Sequence, residues 1–165
     1  MGGISLAIGS RSLSIVGFDE FKMPRIEPEL SQERSAYNTF VAYGLAYEQP
    51  NLWEFTPTLS QTDWITLQGI YQEHMKRRRF DSTDDPRVLL TDTLQLFVEA
   101  SPRTREKAPA PNDIEIIQGS DVAYYAQFYV WFVKPPEIAG YGWKGNVRYY
   151  TVSVAFEECD EKVIA

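Results

Sequence analysis

The sequence predicts a mainly β protein, an antiparallel β-sandwich or partly closed barrel of about seven strands with one α-helix packed on it. Three observations carry that expectation. Short runs of apolar residues alternate with period two, Gly, Pro and Asn turn signals separate the runs, and a single stretch around Trp64 to His74 has helical spacing. No alternation of strands with helices occurs, so a doubly wound parallel sheet is excluded.

The elements follow in order. Ile4, Leu6 and Ile8 alternate with Ser5 and Ala7 and stop at Gly9-Ser10, which reads as a strand, and Leu13 to Val16 reads as a second, ended by Gly17. Residues 19–35 are polar and contain Pro24 and Pro28, which predicts an extended loop or arm without a regular ladder. Strand pattern returns over Thr39 to Tyr47 and at Leu52 to Phe55, with Gln49-Pro50-Asn51 as the turn. Ser60 or Thr62 can cap the helix, and Ser60 with Asp63 makes a capping-box start. Trp64, Leu67, Ile70, Tyr71 and His74 then share one helical face over about 14 residues, and Lys76 to Arg79 complement its carbonyl end.

Val88 to Ala100 is again strand-like, with Leu94, Leu96 and Val98 alternating with Gln95, Phe97 and Glu99. Pro102, Pro109 and Pro111 mark an extended loop over residues 100–113. A short strand at Ile114 to Ile117 leads into Val122 to Val133, which Pro135-Pro136 ends; a glycine-rich loop at 134–146 and a last strand, Val147 to Phe156, complete a single domain, 1–165.

Composition narrows the function. The 165 residues carry 16 Lys+Arg against 23 Asp+Glu, a net charge of −7, with one His and one Cys. That balance argues against binding phosphate backbones. A lone Cys159 closes no disulfide within the chain, and with only His74 beside it no Cys/His zinc site can be built. No apolar run is long enough to span a membrane, and the start lacks a basic region, so synthesis and folding in a cytoplasm are expected.

The motifs point the same way. Gly140-Tyr141-Gly142-Trp143-Lys144-Gly145 matches G-x-G-x-x-G, but a strand pattern follows it where a dinucleotide site needs a helix N-terminus. Its reading is a hairpin connection or a loop presenting Tyr141 and Trp143 to a partner. His74 lies on the apolar helix face and reads as packed, while Cys159, among Glu157, Glu158, Asp160 and Glu161, reads as an inactive surface thiol. Glu157-Glu158 and Asp84-Asp85 read as solvated charges. No catalytic residue, cofactor or metal site is predicted. The basic run Lys76, Arg77, Arg78, Arg79 is expected to be neutralised by Asp81, Asp84 and Asp85, with an inter-subunit ion pair in reserve.

Val122 to Val133 carries the most information. Tyr124, Phe128, Val130 and Phe132 share one face, and Tyr125, Gln127, Tyr129, Trp131 and Val133 share the other. Both are apolar or amphipathic, so the strand is expected to be covered on both sides, by a central position under the helix or by another copy. Candidate interface residues are therefore Tyr125, Tyr129, Trp131, Tyr141, Trp143, Arg77, Arg78 and Arg79.

From residue 41 onward the order of signals resembles that of the minor-tail and distal-tail (baseplate) proteins of tailed bacteriophages. The resemblance lies in an aromatic strand, then Thr58-Leu59-Ser60-Gln61-Thr62-Asp63-Trp64 opening the helix, and a closing Tyr150-Thr151-Val152-Ser153-Val154-Ala155-Phe156-Glu157-Glu158. It implies a virion structural protein that forms a homo-oligomeric ring at or near the tail tube, contacts other tail or baseplate proteins and has no catalytic residues. The alternative from the residues alone is a small-ligand or carbohydrate-binding sandwich, with Trp131, Tyr141 and Trp143 lining one open groove.

Overall fold

The structure, a computed structural model, describes residues 2–22, 31–34, 40–43, 51–100, 108–111 and 114–159. The chain builds β1 (Ile4–Ile8), β2 (Arg11–Ile15), β3 (Phe18–Lys22), β4 (Ser31–Arg34), β5 (Phe40–Tyr43), β6 (Leu52–Ser60), α1 (Gln61–Arg77), β7 (Val88–Ala100), β8 (Ala108–Pro109), β9 (Ile116–Gln118), β10 (Asp121–Phe132), β11 (Glu137–Lys144) and β12 (Val147–Glu158). Seven strands lie in the continuous order β2-β1-β7-β10-β12-β6-β3, to which β8, β9 and β11 add; β4 and β5 pair separately. Neighbours are antiparallel, and the two end strands do not meet, so the sheet is not a closed barrel. The expected mainly β, one-helix architecture is what forms.

The layers come from the sheet folding over itself. Trp53 of β6 packs on Phe128 of β10 at 4.7 Å between ring centroids, and Phe97 of β7 meets the same ring at 4.8 Å. A second run of rings joins Phe55, Phe156, Phe132 and Tyr71, which ties β6, β12 and β10 to the helix. Helix α1 begins where Ser60, in extended conformation, accepts the amide of Asp63 at 3.2 Å. Its buried face is Trp64, Leu67, Ile70 and His74, the stripe that the spacing predicts. Two glycines at the start permit close backbone approach: a Cβ on Gly2 would lie 2.5 Å from the Thr93 carbonyl, and one on Gly3 2.4 Å from that of Ile15.

Asp92, fully buried, joins the two layers. Its Oδ2 accepts the Trp53 indole N–H at 3.1 Å, and its Oδ1 accepts the amides of Leu94 and Gln95 at 2.8 and 3.2 Å. Those two backbone bonds curl β7 so that its pairing with β10 jumps from Asp92↔Ala126 to Phe97↔Tyr124. The inward positions change from Val88, Leu90 and Asp92 to Phe97, leaving Leu94, Leu96 and Val98 exposed. Simple alternation in this run would have placed those three together on a core face.

Other expectations are corrected. The 134–146 segment is mostly strand: β11 pairs with β12 from Glu137↔Ser153 to Lys144↔Val147. Pro135-Pro136 ends β10, but the chain resumes pairing on the same neighbour, because a proline pair removes two donors without turning the chain away. Within 19–35, residues of β3 and β4 form strands, with 23–30 and 35 outside the described residues; β3 pairs with β6 ahead of the prolines. Within 100–113, Ala108-Pro109 pairs with β10, and 101–107 and 112–113 lie outside the described residues. Glu158 is buried, not solvated, and takes two N–H groups of Asn51, at 3.1 and 2.9 Å. One face of β10 is fully buried and the other, from Ala123 to Trp131, half-buried, so the expected covering on both sides is partial there, and Val133 beyond the strand end is exposed.

Asp92→Ala leaves an indole N–H and two amides without their acceptor and is expected to lower stability by about 3 kcal/mol. Asp92→Asn, which keeps one acceptor oxygen, is expected to lose about half of that. Urea midpoints of the three proteins check both, and an unchanged midpoint in Asp92→Ala would remove this residue from its place between the layers.

Candidate functional site

The β11–β12 hairpin turns at Gly145-Asn146, where Gly145 has φ of 63°. The turn sets the register Trp143↔Arg148 and Tyr141↔Tyr150, so these four side chains share one face. On the opposite face Gly140 and Gly142 add no side chains, and Thr151 and Tyr149 stand across from them. Tyr141 and Trp143 are 66% and 65% exposed, and Val147 is exposed on the other face.

Arg148 organises this face. Its guanidinium lies 4.5 Å from the centroid of Tyr141, 5.3 Å from Tyr150 and 5.6 Å from Trp143. Its Nε is buried and has no acceptor, and it makes no ion pair among the described residues. At the base, Tyr150 meets Trp64 of the first helical turn at 6.2 Å, which fixes the hairpin beside the helix N-terminus. The buried Nε is shut off from any incoming group, so what this cation can offer a carboxylate is the outer part of its guanidinium, stacked among exposed rings.

The other candidates, Tyr125 apart, gather at the opposite end of α1. Trp131 is covered by Arg78, 4.4 Å from its ring, and Tyr129 by Arg87 at 3.9 Å. Tyr125 uses its carbonyl to accept Ala110 N–H at 2.8 Å. Arg77 bonds Glu73 at 2.8 Å and the Asp85 carbonyl at 3.2 Å, while Arg79 is exposed and uses its amide on Lys76. Asp85 makes its ion pair with Arg87, and its charge with that of Asp84 also acts on Arg77, the part of the expected neutralisation that forms. The structure therefore brings Arg78 to Trp131, and Tyr141 to Trp143, but does not join the two groups. Trp131 touches His74, and Tyr150 touches Trp64, ten residues earlier on the helix, or roughly 15 Å away along its axis. The single groove of Trp131, Tyr141 and Trp143 does not form.

His74 is packed, as its position on the apolar face implies. Its ring lies between Trp131 and Phe132, and Nδ1 donates to the Pro86 carbonyl at 2.6 Å, so the proton sits on that nitrogen. Burial pushes its pKa below the ordinary histidine range; the Pro86 carbonyl opposes this, and the nearby Arg78 charge adds to it. Cys159 is an exposed thiol. A cleft of about 270 Å³ lies where β10 leaves β12, and its lining includes the Lys134–Ser153 hydrogen bond at 2.8 Å. Among the described residues no three His, Cys, Asp or Glu side chains converge to hold a metal ion, and no helix is long and apolar enough to cross a membrane.

Arg148 is the residue that sequence reasoning missed. The Gly-Asn turn, taken as a two-residue hairpin, would have placed it opposite Trp143. Compared with protein-family models and with curated proteins, the chain matches none.

Trp131→Ala is expected to cost about 2–3 kcal/mol, since it uncovers His74, whereas Trp143→Ala stays within about 0.5 kcal/mol of the parent in thermal or urea unfolding. His74 sets a pH dependence. Its folded pKa is depressed, so as pH falls through about 6.5 the unfolded chain takes a proton that the folded chain refuses, and stability declines with acid from there. His74→Phe is expected to flatten that decline between about pH 7 and pH 5.5; an equal slope in both proteins would assign it to other groups.

Proposed function

We propose that this chain is a structural subunit of a phage-type tail or baseplate, a component of the virion that assembles with its own copies into a ring at or near the tail tube and contacts other tail proteins. The observation that carries the reading is the projecting hairpin with Tyr141, Trp143 and Arg148 on one solvent-facing side. Trp, Tyr and Arg are the residues that dominate protein–protein contacts, and here they stand on a two-stranded ladder rather than around a cavity. The order of elements, an aromatic strand leading through a capped helix to a final strand ending in Phe156-Glu157-Glu158, supports the tail assignment by its resemblance to such proteins. A net charge of −7 suits a ring through which DNA passes without binding.

A carbohydrate- or small-ligand-binding module remains the second reading, and the exposed Tyr141–Trp143 pair favours it, now without Trp131. Light scattering and native mass measurement over micromolar concentrations decide the first. The expected result is one discrete assembly, an integer multiple of the 19.0 kDa chain. A 19.0 kDa monomer at every concentration, with glycan binding that disappears in Trp143→Ala, would replace the assembly reading by the ligand reading.

A further inference from the structure

Two surfaces of the molecule are incomplete in complementary ways. At one end stands the Tyr141–Trp143–Arg148 face, two exposed rings around a cation that makes no ion pair among the described residues. Just past the other end of α1, Phe80 is 103% exposed, a whole aromatic ring in solvent. Beside it Asp81 and Asp84 are exposed; the Asp84 charge already acts on Arg77 of the same chain, which leaves Asp81, next to the ring, as the carboxylate to offer. The loop that carries them is held in shape. Arg87 grips Asp85 through bonds of 2.7 to 3.0 Å, Arg77 bonds the Asp85 carbonyl, and His74 bonds that of Pro86. Little order would have to be gained on docking.

We propose that the Phe80–Asp81 knob of one copy docks on the Tyr141–Trp143–Arg148 face of the next. Phe80 supplies a further ring for the exposed aromatics, and Asp81 supplies a carboxylate for the Arg148 guanidinium. The two surfaces cannot meet within one chain: they flank a helix of 17 residues, about 25 Å long. Docking therefore leaves a free face on one copy and a free knob on the other. That is a heterologous contact, which repeats until it closes into a ring or runs on as a filament. The inference rests on the homo-oligomer reading above and names its interface.

The test uses the full chain in two forms, Phe80→Ser with Asp81→Lys, and Arg148→Glu, followed by light scattering and native mass. Trp143→Ala repeats the second at a residue whose loss the fold tolerates, and circular dichroism checks that each variant is folded. Each form is expected to weaken assembly by about 30-fold or more and to run as a monomer where the parent is assembled. Mixed together, the knob variant and the Arg148→Glu variant retain one working contact between them, so they form a pair and nothing larger. Parent-like assembly of the separate variants overturns this interface and leaves the homo-oligomer standing. Monomeric variants that do not pair on mixing overturn the head-to-tail arrangement. A parent that is itself monomeric overturns both.

Discussion

The buried carboxylate of Asp92 is the constraint on which the rest of the structure depends. A strand with an acid at a core position would ordinarily be unstable, because removing a carboxylate from water is costly. Here each oxygen has donors, one from an indole across the core and two from the chain just beyond it. Burial nevertheless raises its pKa, with Trp53 and the two amides working the other way. The folded chain thus holds a proton on this group more readily than the unfolded one, and above the ordinary carboxylate range the group itself works against stability. What it contributes is geometry. The bond to Trp53 holds β6 over β7 although β10 and β12 lie between them in the sheet, and the bonds to Leu94 and Gln95 reverse the facing of β7 so that Phe97 reaches Phe128.

How much of this was legible follows from the range of each interaction. The helix could be read almost whole, because its cap at Ser60 and its stripe from Trp64 to His74 are local. The alternating strands could be read for the same reason. Asp92 was passed over because nothing near it in sequence reveals Trp53, 39 residues away. Glu158 read as part of an acidic tail because its partner Asn51 lies 107 residues away. Gly140 and Gly142 read as loop, since glycine weakens strands in isolation. Pairing with β12, itself held by β6 on its other side, overrides that preference.

The aromatics divide into two classes by what their arginines do. Arg78 over Trp131 and Arg87 over Tyr129 come from segments folded back onto the sheet, so the stacked cations roof the half-exposed outer face of β10. Among the described residues these two arginines are thus part of what covers the second apolar face of this strand. Arg148 differs. It springs from the same hairpin as the rings it touches, so its stacking stiffens the face but covers little of it, and Tyr141 and Trp143 remain about two-thirds exposed. The first arrangement completes a fold and the second leaves one side open.

The candidate site read from the sequence as one set of eight residues is therefore two sets with opposite meanings. Tyr125, Tyr129, Trp131, Arg77 and Arg78 spend their contacts within the chain. Tyr141 and Trp143 stack on Arg148 yet stay about two-thirds exposed, and the exposed Arg79 leads directly into the fully exposed Phe80. Sequence spacing could not separate these sets, because which guanidinium reaches which ring depends on the return of the 78–87 loop along the helix. That return is fixed by His74, whose short bond to the Pro86 carbonyl ties the loop to the same helix that carries Trp64 against the hairpin. One rigid element thus sets the distance and direction between the two open surfaces. If copies join through these surfaces as proposed, a fixed separation and angle between them sets one rotation per copy, and that rotation alone decides between a closed ring and an open filament.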